Sequence, residues 1–153
     1  MTEIFLTTAI RAPAERCFDL ARSIDHHVES MRGTDERAVA GVTSGLIGMG
    51  EEVTWEARHF GLRLRLTSRI TAYQRPYHFQ DSMVAGPFAS FVHDHHFLES
   101  PWGTVMRDQV QFRCPPGVIG ALLDWFLVEP HLRRLLTKRN LMLKRVAESQ
   151  TGE

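Results

Sequence analysis

Glu51-Glu-Val-Thr-Trp-Glu-Ala-Arg-His-Phe60 runs into Gly61-Leu-Arg-Leu-Arg-Leu-Thr-Ser-Arg-Ile-Thr-Ala72, and apolar and polar side chains alternate on both sides of Phe60-Gly61. A period of two sends successive side chains to opposite faces, so each half reads as a half-buried strand with the glycine in the turn. Val53, Trp55, Ala57 and His59 share a face of the first half; Leu62, Leu64, Leu66 and Ile70 share one of the second. Folding at Phe60-Gly61 sets Glu52 opposite Arg69, Thr54 opposite Thr67 and Glu56 opposite Arg65. Opposite charges across a ladder contribute roughly 0.2–1 kcal/mol each, so this register is self-consistent. Only Arg58 against Arg63 is mismatched, beside the turn where solvent screens it. Trp55 then faces Leu66 and Ala57 faces Leu64 on the buried side.

Further strands follow at similar spacing: Tyr77–Val84, Phe88–Glu99 and Gly103–Arg113, with turns at Gly86-Pro87 and Ser100-Pro101-Trp102-Gly103. Upstream, Glu3–Arg11 reads as a first strand. Pro13 and Glu15 open a helix with apolar Cys17, Phe18, Leu20 and Ala21. A second short helix is expected over Ile24–Met31 and a short strand over 37–42. Ser44–Gly50 is glycine-rich and reads as a mobile loop, with Gly45–Gly50 a plausible lid. After Cys114-Pro-Pro-Gly117 the pattern turns helical. Val118–Val128 is apolar on most sides, and Pro130 kinks or restarts the helix. Leu132, Leu135, Leu136, Leu143, Val146 and Ala147 then recur at helical spacing. These elements form one α+β domain over residues 1–150.

The interior is unusual. In Phe91-Val-His-Asp-His-His-Phe97, alternation groups Phe91, His93, His95 and Phe97; in the next strand it groups Thr104, Met106, Asp108, Val110 and Phe112. Phe79, Asp81 and Met83 form a third inward set. Imidazoles and carboxylates serve no purpose in pure packing, because a buried polar atom without a partner costs free energy. A pocket that orients a ligand does use them. Arg139 lies near the middle of the apolar face of the last helix. Either its stem covers apolar surface while the guanidinium reaches water, or it enters the interior and pairs with Asp108 or Asp81. His26 and His27 are expected on the exposed side of their helix, His96 pointing away from the interior and His59 at the rim. Core packing accounts for most of Leu122, Leu123, Trp125, Phe126 and Leu127, with any surplus available for a homodimer or a cavity mouth.

Composition narrows the function. The chain has 153 residues, with 18 basic side chains balanced by 18 acidic ones, so no nucleic-acid partner is expected. No apolar run approaches the roughly 18 residues of a membrane span. The N-terminus lacks the pattern of a signal peptide, and Cys17 and Cys114 read as reduced thiols, so the expected location is cytoplasmic. No phosphate-cradling loop, dinucleotide fingerprint or serine nucleophile elbow occurs, and no cofactor is expected. His93-x-His95 with Asp81 or Asp108 has metal-ligand composition, but the spacing is common by chance, so no metal is expected either.

The order of elements matches the helix-grip arrangement: a curved antiparallel sheet of six to seven strands around a long C-terminal helix, with two short helices after the first strand. The chain resembles the START-like superfamily, which includes polyketide cyclases, Bet v 1-type plant proteins and lipid-transfer domains. The resemblance is carried by Ile10-Arg-Ala-Pro-Ala-Glu-Arg-Cys-Phe18, Gly48-Met-Gly-Glu-Glu-Val-Thr-Trp55, Phe79-Gln-Asp-Ser-Met-Val-Ala-Gly-Pro-Phe88, His93-Asp-His-His-Phe97 and Gly103-Thr-Val-Met-Arg-Asp108. It implies an apolar tunnel between sheet and helix. The expected function is binding of a hydrophobic or amphipathic small molecule, lipid-like or polyketide-like. Trp55, Leu64, Leu66, Phe79, Met83, Phe91, Met106, Val110 and Leu136 would form the apolar wall. His93, His95, Asp81 and Asp108 would supply the polar groups, joined by Arg139 if it enters the interior, with His59 at the rim. The alternative is a cyclase- or dehydratase-like enzyme in which His93 or His95 moves a proton and Asp108 orients it. A third reading is an interaction protein with a collapsed interior.

Overall fold

A computed structural model describes residues 1–149, the side chains at 121 and 123–125 excepted. The elements in chain order are β1 (Thr2–Ile10), α1 (Ala14–Ala21), α2 (Ile24–Ser30), β2 (Arg37–Gly41), β3 (Glu52–His59), β4 (Leu62–Gln74), β5 (His78–Ala85), β6 (Ser90–Ser100), β7 (Gly103–Arg113), α3 (Val118–Leu123) and α4 (Glu129–Ser149). All seven strands join one antiparallel sheet in the order β1-β7-β6-β5-β4-β3-β2. This is the helix-grip fold expected from the sequence.

Local chemistry explains the element ends. Pro13 stands in extended conformation before α1, and Ser23 caps α2 by accepting from the His26 amide at 3.2 Å. A π-helical turn over Asp124–Val128 joins α3 to α4, and Pro130 lies in the first turn of α4. Without an N–H, Pro130 makes no bond back to the preceding turn, so it restarts the helix there.

The β3–β4 ladder has the register read from the sequence, from Glu52↔Arg69 to His59↔Leu62. The mismatch of Arg58 with Arg63 is resolved diagonally. Arg63 donates to Glu56 Oε1 at 2.8 Å, Arg65 to Oε2 at 2.8 Å, and Arg37 joins from β2 at 3.3 Å. Glu56 is thereby buried beneath three guanidinium groups.

Along the β1–β7 side, α1 and α4 close down on the sheet. Phe18, Phe97, Met106 and Leu143 are fully buried in the larger apolar cluster, and Ile4, Val110 and Phe112 in the smaller one. Phe18 meets Phe79, Phe97 and Tyr73 edge-on at 5.2–5.4 Å between centroids.

Three expectations are corrected. The Gly45–Gly50 segment is stitched down instead of hanging free: Gly45 accepts from the Ile24 amide, Ile47 donates to Arg22 and Gly50 to Ile70, while the Ile47 side chain is buried. His26 and His27 are half-buried, because α2 packs against α4 and sits over β3; His27 stacks on Trp55 at 4.2 Å and bonds Glu36 at 3.2 Å. Leu122, Phe126 and Leu127 are exposed, not core, since α3 and the π turn run across the outside of the molecule. The side chains of Leu123 and Trp125 lie outside the described residues.

Candidate functional site

Toward β3–β5 the helices stand off from the sheet and leave a cavity of about 400 Å³. That volume lies in the range of small-molecule pockets. Trp55 from β3, Leu64 and Leu66 from β4, Phe79 from β5, Phe91 from β6 and Leu136 from α4 contribute to its apolar wall. Asp81, His93, His95 and Arg139 also line it, and His59 stands among its lining residues.

Four residues read as part of the site lie elsewhere. Met106 and Val110 do point inward, but Met106 is covered by Cys17 and Phe18 of α1 and Leu143 of α4, and Val110 by Leu136 of α4 with Ile4 and Phe112. Met83 lies past Ser82, the last β5 residue paired with β6, and its sulfur folds over Gly86 where no Cβ intervenes. Asp108 sits behind His93, sealed from the cavity and 2 % exposed.

The polar floor is built by strand register. His93 and His95 alternate inward on β6, opposite Asp81 on β5 and Asp108 on β7 respectively. His93 Nε2 bonds Asp108 Oδ1 at 2.7 Å, and His95 Nε2 bonds Asp81 Oδ2 at 2.7 Å. The two imidazoles stack at 3.7 Å, and His95 lies flat on Phe79 at 4.1 Å. Arg139 enters the interior. It donates to Asn140 Oδ1 at 3.1 Å and to the Ala21 carbonyl at 3.4 Å, and stands 3.5 Å from Asp108 Oδ1. Asn140 in turn donates to Asp108 Oδ2 at 2.8 Å. The other oxygen of Asp81 accepts from Ser68 at 3.2 Å.

Burial favours the neutral form of both carboxyls, but their imidazole partners and Arg139 outweigh it. Asp81 is lowered to about 2, and Asp108 is held far below the usual carboxylate range. His95 is lowered to about 4, first by burial and then by His93 beside it. A neutral His95 facing an ionised Asp81 must carry its proton on Nε2. Its Nδ1 is then a bare acceptor, buried with no hydrogen-bond partner and 3.5 Å from Asp108 Oδ1. At the rim, His59 Nδ1 and His131 Nε2 share a hydrogen bond at 2.9 Å, and burial lowers the pKa of both.

Asp81, His93 and His95 each offer a donor atom, all within 4.8 Å of one another, a set that a divalent ion accepts. His93 Nε2 is engaged by Asp108, a carboxylate outside this set, however, and Arg139 is a competing cation on the same floor.

Sequence reasoning passed over Asn140, Ser68 and His131. Asn140 lies four residues after Leu136 and three before Leu143, the spacing of one buried helix face. Ser68 has the inward parity of Leu66 and Ile70. Those signals were present but masked by the polarity of the residues. Nothing in the sequence pairs His131 with His59, which are 72 positions apart.

The family model for polyketide cyclase / dehydrase and lipid transport matches residues 10–138. No curated protein matches the chain. Among solved structures, the Thermus thermophilus protein TTHA0849 is 18 % identical, with 99 % of this chain and 100 % of that chain covered and a TM-score of 0.79. Protein CV1439 of Chromobacterium violaceum is 12 % identical over 95 % of this chain and 96 % of that one, at TM-score 0.73. Major latex-like protein 151 of Panax ginseng is 14 % identical over 95 % and 97 %, at TM-score 0.68. At such identities the structural likeness speaks for fold alone. The family match covers most of the sequence, and the chain therefore belongs to the polyketide cyclase / dehydrase and lipid transport family, within the START-like superfamily.

Proposed function

We propose that this protein binds a hydrophobic or amphipathic small molecule in the cavity between sheet and α4. The apolar body of the ligand lies against Trp55, Leu64, Leu66 and Leu136, and its polar end meets Asp81. The observation carrying the proposal is a cavity of about 400 Å³ whose mainly apolar wall is interrupted by Asp81, His93, His95 and Arg139, polar groups tied into one buried network.

Charge on the floor selects the polar end. Asp81 keeps 24 % of its side-chain surface open, whereas Arg139 keeps 3 % and already donates to protein oxygens. The accessible group is thus an anion that accepts hydrogen bonds. A hydroxyl or an amine fits it, and a carboxylate is repelled. Acid–base catalysis on the same floor is less well supported. Asp81 at about 2 is too weak a base near neutral pH, and the unengaged nitrogen of His95 is sealed toward Asp108.

Thermal unfolding with 1-dodecanol, dodecylamine and lauric acid tests this reading. A ligand at about 100 times its Kd adds about 2.7 kcal/mol to stability. The alcohol and amine are expected to raise Tm more than the acid, and Asp81→Asn to erase that preference. Equal shifts from all three in the parent protein would remove the role given to Asp81. No shift from any of them would remove the binding reading itself.

A further inference from the structure

Residues 78–81 of β5 and 93–96 of β6 carry different chemistry on their two faces. Phe79, Asp81, His93 and His95 face the cavity, so His78, Gln80, Asp94 and His96 lie on the outer face of the sheet. His78 is directly opposite His96 in the ladder, and their rings stack at 4.5 Å. Asp94 is two residues from His96 on the same face, and its Oδ1 accepts from His78 Nε2 at 2.8 Å and from Gln80 Nε2 at 3.0 Å.

We propose that His78, Asp94 and His96 form a binding site for one divalent transition-metal ion, outside the cavity. One donor atom from each residue lies within 4.8 Å of the others. Bonds of about 2.0–2.2 Å to imidazole nitrogen and carboxylate oxygen place tetrahedral donors about 3.4 Å apart, so modest side-chain rotation closes the set. The three positions are fixed by paired strands, which limits the ordering entropy that binding must overcome. Two imidazoles and a carboxylate suit a borderline ion such as Zn²⁺, Ni²⁺ or Cu²⁺ better than Mg²⁺ or Ca²⁺. All three side chains are only half-buried on this outer face, so solvent can reach the ion and supply a water at the fourth position. Arg107 pairs across the ladder with His96 but is exposed, so its guanidinium can turn into solvent.

Such an ion would clamp β5 to β6 directly behind the polar floor. It is independent of the ligand proposed for the cavity, and the two fail separately.

ZnCl₂ titrated into the full chain by isothermal calorimetry at neutral pH is the test. One ion per chain is expected, with affinity reduced about tenfold or more in each of His78→Gln, His96→Gln and Asp94→Asn. Zn²⁺ should also raise the Tm of the parent protein and leave that of the His78→Gln/His96→Gln double variant unmoved. The outer-face positions tolerate glutamine sterically, and melting curves without metal verify folding. Absence of Zn²⁺ binding, or binding that survives the double variant with unchanged affinity, overturns the proposal.

Discussion

The two ends of the sheet treat the same inward alternation in opposite ways. Along β1–β7, the inward residues Ile4, Met106, Val110 and Phe112 are fully buried against helix side chains. Along β3–β4, Val53, Ala57 and Ile70 are buried as well, but Trp55, Leu64 and Leu66 between and beyond them are only partly buried and look into the cavity. A strand pattern fixes which face turns in. Whether that face meets a helix or a hollow depends on how closely the helices approach, which the distant packing of α1 and α4 decides. The polar floor lies between the two regimes: Asp108 belongs to the filled end and Asp81 to the hollow one.

Substitutions that remove bulk should separate the ends most sharply. Phe112→Ala is expected to cost about 3–5 kcal/mol, because the surrounding core cannot collapse into the void. Leu64→Ala, whose side chain already borders empty space, should cost about 1 kcal/mol or less. Chemical denaturation of both variants makes the comparison, and equal losses would mean that the hollow is not a distinct region.

Comparable in size is the effect expected within the floor. Asp108→Ala leaves Arg139, Asn140 and His93 without their shared acceptor and should destabilise by about 3–5 kcal/mol. Asp81→Asn keeps a partner for His95 and opens to the cavity, so its stability loss should be the smaller of the two. The same denaturation measurements sharpen the boundary between filled and hollow ends.

A gentler signature lies in pH. His95 and His26 both fall from 6.5 to about 4 in the folded chain, burial being the leading cause in each. The unfolded chain then binds more protons than the folded one between those values, so stability should decline as pH drops from about 6.5 toward 4. Asp81 and Asp108, lowered from 3.8, add stability that is complete above that value and is lost as pH falls further. Urea midpoints measured across this range should show both limbs. His95→Gln should flatten the upper one; an unchanged slope would contradict the neutral, buried state assigned to this histidine.

Much of the fold was legible because it rests on local periodicity. The β3–β4 register followed from matching Glu56 to Arg65 and Trp55 to Leu66, pairs that only one alignment of the hairpin satisfies. The inward direction of His93, His95, Asp81 and Asp108 was legible for the same reason. Depth was not: Met106 and Val110 share the parity of cavity residues yet lie in filled core, Met106 under α1 and α4 and Val110 against Leu136. Arg139 could be placed on the right helix face, but its burial depends on Asp108 of β7 and the Ala21 carbonyl of α1 converging on it from separate elements. Ser68 and Asn140 occupied apolar positions of their patterns and were discounted for their polarity, although a buried network needs such residues to complete its hydrogen bonds. The outer His78–Asp94–His96 group went unread, since attention to the inward face treats the opposite parity as mere solvent surface.

Native mass spectrometry of freshly purified protein, followed by denaturation and identification of what is released, tests the central claim most directly. The account predicts one apolar or amphipathic molecule per chain carrying a hydroxyl or amine, or a bare chain that takes up 1-dodecanol at one-to-one stoichiometry. A bare chain that takes up neither 1-dodecanol nor dodecylamine would contradict it.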